Sequence, residues 1–272
     1  MNRTLAHFGV ASLFLAGFSP AYCQTAPPPK ESPVAETKLP SAEELSEKCA
    51  KGSGGKEAWA KLKTMVLTGT VDIPTFGVSG KVEIVAKRPN KVLRITNVAD
   101  GQFVRKEAFD GQAGWESDSQ QGLKAISGAR LEQEKIEAVF DTDVRLKEVY
   151  PDLKVTGRTK VGDRAAYTAT ATEPGGKTLT MYLDEQTGLR IAEDTEGPDE
   201  SGTVVKTNLF FDDYRSVGDV QIPYRIRIHA PNVSLEIRIE DVKFNVPVDD
   251  AKFAMPSTTA DARQSRSAAG AL

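Results

Sequence analysis

Histidine, cysteine and paired carboxylates carry most side-chain chemistry, and this chain is sparing with the first two, having two of each in 272 residues. His7 falls in an N-terminal export signal, so His229 alone is left, beside a hairpin turn on a polar face, where it reads as a surface residue. One histidine can build neither a Ser-His-Asp arrangement nor a multi-histidine metal site within one chain. The stretch Ala171-Thr172-Glu173-Pro174-Gly175-Gly176-Lys177-Thr178 nearly spells a phosphate-binding loop. Ala171 replaces the first glycine, however, and the flanks read strand to strand. Phosphate binding needs backbone N–H groups converging at a helix N-terminus, so a hairpin turn is predicted instead. Gly52-Ser53-Gly54-Gly55-Lys56 follows a helix rather than a strand and reads as a helix break. Asp212-Asp213 and Asp249-Asp250 are adjacent pairs, and neighbours on a strand point to opposite faces. Neither has the spacing of a calcium loop, and both read as strand ends. Trp115, after Asp110-Gly111, either lines a ligand site or packs in the core. No catalytic residue, metal ligand or cofactor motif emerges, and the chain is read as a non-enzyme.

The elements that could position a binding site are clearer. From Ile222 to Val248, Tyr224, Ile226 and Ile228 alternate with Arg225, Arg227 and His229, and Leu235, Ile237 and Ile239 alternate with Glu236, Arg238 and Glu240. Period-two alternation gives a hairpin with one apolar and one charged face. An even loop keeps apolar opposite apolar, and a four-residue turn at 229–232, which sets Arg225 opposite Glu236, is preferred to a two-residue one. At Glu240-Asp241 the alternation slips by one, which predicts a β-bulge. On the polar face Arg225, Arg227, Glu236, Arg238 and Glu240 read as a solvated surface with cross-strand pairs.

Similar alternation recurs from Met65 to Phe109 and from Leu153 to Tyr214, broken by turns such as Pro89-Asn90, Asp100-Gly101 and Asp184–Gly188. Glu193–Gly202 reads as an acidic, solvated loop. Ser41 and Glu44 form a capping box for a first helix carrying Leu45 and Cys49, and a short helix over 56–63 turns Trp59 and Leu62 inward. Ser127–Tyr150 reads as a further helix ended by Pro151. The fold class is therefore α+β, an antiparallel sheet of about ten strands that must curl, with helices on one face.

Arg3, the apolar run Phe8–Phe18 and Ala21-Tyr22-Cys23 make residues 1–23 a secretory signal cut after Cys23, addressing the protein to the periplasm. Tyr22 is too large for a lipoprotein signal that would acylate Cys23. Cys49 then has no intramolecular disulfide partner and is expected as a small buried thiol. Residues 24–40 are a Pro-rich linker, 41–256 the folded domain and 257–272 a disordered tail. A formal net charge of −3 and a pI of about 5.6 give no electrostatic case for nucleic acid,. No apolar run reaches the ~18 residues of a membrane-spanning helix.

Several stretches together resemble the LolA/LolB-like outer-membrane lipoprotein-sorting family. They are Gly54–Ala58, Asp110–Trp115, Tyr182–Leu189, Phe211–Pro223 and Val246–Phe253, in the family's order and spacing across residues 41 to 256. The resemblance implies a strongly curved half-barrel whose apolar concave face is covered by helices and, in the carriers, takes lipoprotein acyl chains. No position matches the carriers' own functional residues. The expected cavity lining is Trp59, Leu67, Val71, Val82, Ile84, Phe109, Trp115, Phe140, Tyr224, Ile226, Ile228, Leu235 and Ile237. The expected partner is a lipid or lipoprotein acyl chain. The competing expectation is an envelope protein partner met by the Arg225/Arg227/Arg238 face, with no lipid cargo.

Overall fold

Ser41 Oγ accepts a hydrogen bond from the Glu44 N–H (3.1 Å) and Glu44 Oε2 accepts one from the Ser41 N–H (2.7 Å), so the capping box opens the first helix as its sequence requires. The computed structural model describes residues 38–198 and 202–257; the expected signal, most of the expected linker and nearly all of the expected tail lie outside them. Helices α1 (Ala42–Gly52) and α2 (Lys56–Ala60) precede the meander β1 (Thr64–Ile73), β2 (Val78–Lys87), β3 (Lys91–Val98), β4 (Phe103–Phe109), β5 (Gly114–Asp118) and β6 (Gly122–Ile126). A crossover made of α3 (Gly128–Glu137) and α4 (Leu146–Val149) leads to a second meander. This comprises β7 (Lys154–Val161), β8 (Arg164–Glu173), β9 (Lys177–Asp184), β10 (Arg190–Pro198), β11 (Val204–Val217), β12 (Val220–Ala230) and β13 (Val233–Phe244). All pairs are antiparallel, and β13 returns to pair with β1, giving one open sheet in the order β6-β5-β4-β3-β2-β1-β13-β12-β11-β10-β9-β8-β7.

The curl of this sheet follows from one helix. Arg130 and Gln133, three residues apart on α3, reach Glu107 on β4 (3.2 Å) and Glu173 on β8 (3.0 Å). Nine strand spacings separate β4 from β8, roughly 43 Å on a flat sheet at ~4.8 Å per strand. Three helical residues advance only ~4.5 Å. The sheet must bend round until α3 spans its seam.

Thirteen strands, rather than about ten, form among the described residues. The short β5–β6 hairpin is too polar to show alternation. Glu193–Pro198, expected as loop, extends β10, with Glu193 turned inward. The crossover is broken by a 3-10 turn at Thr142–Val144 instead of running as one helix, and α2 ends at Ala60. Asp212 and Asp213 lie within β11, not at its end. The β12–β13 turn contains only Pro231 and Asn232, since Ala230 pairs with Val233. Arg225 then sits opposite Arg238, yet still reaches Glu236 diagonally at 2.6 Å, so the pair that favoured a four-residue loop is satisfied by the shorter one. The bulge falls where the alternation slips: Thr68 pairs with Asp241 but Gly69 with Ile239. Gly69 is required there, because a Cβ would run into the Arg238 carbonyl.

Both faces of the first meander are buried. On the convex side Val85, Leu93, Ala108 and Trp115 are covered by the chain after β13, which lays Val248 and Phe253 across them. Trp115 Nε1 donates to the Phe253 carbonyl at 2.9 Å. Concave-side clusters join Leu45 and Cys49 of α1 to Leu146 and Tyr150 and to Leu179, Met181 and Leu183 of β9, and Trp59 and Phe140 to Leu67 and Ile239. Cys49 is buried and free, and burial pushes its thiol pKa far up.

Phe253 is a fully buried aromatic in a segment with no ladder of its own. Phe253→Ala is expected to cost about 3–5 kcal/mol by urea denaturation; a loss under about 1 kcal/mol would mean that the strap does not hold the convex face.

Candidate functional site

Twelve of the thirteen expected lining residues belong to the concave side, and they divide into two zones. Leu67, Val71 and Val82 are buried on neighbouring central strands. Trp59 and Phe140 cover Leu67 and Ile84, ring centroids 6.2 Å apart and edge to face. Arg88 stacks on Phe140 at 4.9 Å and donates to the Leu62 and Trp59 carbonyls and to Asp141. Phe109 packs with Val92 and Ala138. These positions are filled by the protein's own side chains. Tyr224 and Ile237 pack partly against the central cluster, whereas Ile226, Ile228 and Leu235 belong to no core cluster and stay half-buried. Ile226 pairs with Phe211 and Ile237, and Ile228 with Leu209 and Leu235, giving an apolar strip across β11, β12 and β13. At the same end of the sheet, Phe76 and Val204 are 66% exposed. Trp115 is the exception: it points to the convex side, beneath Phe253.

The concave face is also far more charged than expected. Glu134 of α3 is 0% exposed and lies between Arg94 of β3 (3.0 Å) and Arg130 (2.5 Å). Glu107 takes Arg130 (3.2 Å) and Arg105 (2.9 Å), while Glu116 takes Arg105 (2.8 Å) and Lys124 (2.9 Å). Glu137 closes the series on Arg94 at 3.3 Å. Four cations and four carboxylates thus alternate in a neutral chain that docks α3 on the sheet. Burial opposes ionisation of Glu107, but the hydrogen bond and charge of Arg105, with Arg130 and Arg94 beyond, hold its carboxyl below the usual range.

A second group lies under the 3-10 turn. Arg190 pairs with Asp143 (3.0 Å) and Glu193 (2.8 Å), stacks on Phe211 at 5.0 Å, and its carbonyl accepts from Tyr214 Oη at 2.6 Å. Burial pushes the Glu193 carboxyl up, Arg190 opposes this, and Asp143 and Glu137 add to it. Burial likewise raises Glu173, against its hydrogen bond from Gln133. Among the described residues no cluster could hold a metal, and no helix is long and apolar enough to cross a membrane. The convex arginines are paired within their own sheet: Arg225 and Arg238 with Glu236, and Arg227 with Asp212 at 2.7 Å. Sequence reading missed the inward charges, although Arg94, set among Val92, Leu93 and Ile95, was a visible irregularity.

No family model and no curated protein matches the sequence. Solved structures do share the fold. A DUF1329 family protein from Desulfovibrio piger aligns with a TM-score of 0.52 at 15% identity, over 78% of this chain and 96% of that one. A LolA superfamily protein from Nitrosomonas europaea gives 0.52 at 11% identity, over 79% and 98%. A structure described as an outer-membrane lipoprotein-sorting protein domain, from Vibrio parahaemolyticus, gives 0.53 at 12% identity, over 77% and 94%. The fold is the LolA-like one that the sequence resemblance implied.

Removing the Glu134 charge takes from Arg94 and Arg130 the buried carboxylate they share, and breaking such a buried pair costs about 3–5 kcal/mol. Glu134→Gln is expected to lose that much in chemical denaturation, and a neutral result would show that the charge chain does not hold α3. Glu107, with its lowered pKa, stabilises the fold above the ordinary glutamate pKa, and this contribution fades as pH falls through the lower folded value. The stability gap between wild type and Glu107→Gln should therefore be full at neutral pH and close in acid. A gap independent of pH would overturn the assignment.

Proposed function

We propose that this protein is an exported, periplasmic, non-enzymatic carrier or binding protein that holds a lipid or lipoprotein acyl chain against its concave face, in the service of outer-membrane lipoprotein sorting. The observation that carries this reading is the strip of Ile226, Ile228, Leu235 and Leu209, half-buried and outside every core cluster on the inner side of a LolA-like sheet. An apolar row left uncovered by the protein's own helices is a surface that an acyl chain can complete. Each buried methylene contributes about 0.8 kcal/mol, so ~10 of them supply on the order of 8 kcal/mol. Before the costs of association that corresponds to about micromolar affinity. Such binding needs no catalytic residue and no metal.

The other role considered, an envelope protein module without lipid, would use the convex Arg225, Arg227 and Arg238 face. Those guanidiniums are already engaged by Glu236 and Asp212, which leaves that face less to offer a partner.

Native mass spectrometry of gently purified protein is expected to show a bound lipid mass. Placing a carboxylate on the strip with Ile228→Glu should weaken acyl-chain binding by about 10- to 100-fold, the worth of one buried aliphatic side chain. Consistently empty wild-type protein that also fails to move lipid between vesicles would sink the reading.

A further inference from the structure

The two ends of the sheet differ in charge. Antiparallel pairing sends the β2–β3, β4–β5, β7–β8, β9–β10 and β11–β12 turns to the end where α1 and α2 pack. Each of these carries a charged residue: Arg88, Asp110, Asp163, Glu185 and Asp219 respectively. The β1–β2, β3–β4, β5–β6, β8–β9, β10–β11 and β12–β13 connections gather at the opposite end. Among their described residues only Asp100 is charged, in a chain that is 27% charged overall. Asp199 and Glu200, also in the β10–β11 connection, lie outside the described residues.

The concave apolar strip opens at this uncharged end. Asp72 pairs with Glu236 and Ile73 with Val78, so the row Leu209, Ile228, Leu235 continues through Ile73 to Val78. All are half-buried. The row crosses β11, β12, β13, β1 and β2, ~19 Å over its strand spacings. Beyond Ile73 the chain makes a 3-10 turn, Pro74–Phe76, ended by Gly77 in the left-handed region. The Gly77 N–H donates to the Pro74 carbonyl (3.1 Å) and the Ser234 N–H to Thr75 Oγ1 (3.0 Å). This braced turn holds Phe76 out at 66% exposure. On the other flank Asn208 pairs with His229, which puts Val204, equally exposed, level with the β12–β13 turn.

Anionic membranes and nucleic acids are attracted by lysine and arginine, and the described rim connections have neither,. The interfacial layer of an uncharged bilayer suits instead apolar side chains at the tip, an aromatic ring at head-group level and neutral polar neighbours. Phe76 supplies the ring and Val204 the aliphatic contact, while Thr75, Gln102, Gln120 and Asn232 are exposed around them. We propose that the open rim docks on a bilayer of zwitterionic lipid, with Phe76 and Val204 in the head-group layer and the apolar row opening toward the acyl chains. The row's role as an entrance rests on the carrier reading of the concave face; the contact itself rests on the rim.

The full chain, sedimented with phosphatidylcholine vesicles, should partition onto them, and added salt should not release it because no charge pair is there to be screened. Vesicles enriched in phosphatidylglycerol should bind it no better. F76S should weaken partition about tenfold, the worth of one aromatic side chain leaving the interface, and F76S/V204S further. Both positions lie outside every core cluster, so the variants should keep the wild-type urea midpoint and bind dodecanol in solution within about twofold of wild type. No partition onto phosphatidylcholine, partition that needs anionic lipid and fades with salt, or full partition by F76S/V204S overturns the docking. Wild-type dimers that F76S turns into monomers, with no vesicle binding, would give the rim to a second copy and overturn it too. Protein that docks but takes up no dodecanol overturns the carrier reading and leaves the contact standing. Protein that takes up dodecanol but does not dock does the reverse.

Discussion

Glu134, with no exposed surface, is held between Arg94 of β3 and Arg130 of its own helix, and the geometry of the sheet follows from that contact. A buried carboxylate without a counter-charge is costly, so α3 can seat only where both guanidiniums reach it. Once seated, the helix touches β4 with Arg130 and β8 with Gln133, which draws the outer parts of the sheet toward each other. The curvature and the bridging of β4 to β8 by α3 both depend on this docking. The chain of alternating charges from Lys124 to Glu137 gives orientation as well as attachment, because a helix rotated by one residue would break several pairs together.

Much of the second meander was legible from alternation alone. The apolar face of β12 and β13, the bulge after Ile239 and the capping box at Ser41 follow from local rules with one answer each. The turn length was misjudged because a diagonal pair, Arg225 with Glu236, satisfies the same charges as a direct one. The first meander defeated the method for a different reason. Period-two reading assumes one wet face, but Leu93, Ile95 and Trp115 are covered by a strap arriving from beyond β13 while Val92, Arg94 and Phe109 face the helices. With both faces dry, apolar residues appear on either phase and the inner side cannot be picked out. Trp115 was assigned to the concave side for that reason. The inward carboxylates were hidden by the opposite convention, that charge marks solvent: Glu193 and its acidic neighbours read as a loop because a paired, buried glutamate leaves no local signal.

The concave face is thus neither a plain filled core nor a plain greasy cavity. Helices α1, α2 and α4 supply Leu45, Cys49, Trp59 and Leu146, which fill the ends of β9, β12, β1 and β2 nearest them. The region around Ile228 receives no helical side chain in any cluster. At 11–15% identity to its structural counterparts the sheet shares their frame. Strands β10 and β11 place the polar and apolar zones side by side, with Glu193 opposite Leu209.

The pairing of β1 with β13 joins Met65 to Phe244, residues that stand almost a whole domain apart along the chain. The two meanders are built from neighbouring strands and can form locally, but their shared seam in the middle of the sheet waits for the last strand to be made. Loop closure over such a span is paid in chain entropy before any contact rewards it, which makes non-local sheets slow to form. A chain emerging from a ribosome therefore exposes the raw inner edge of β1 until synthesis is nearly finished.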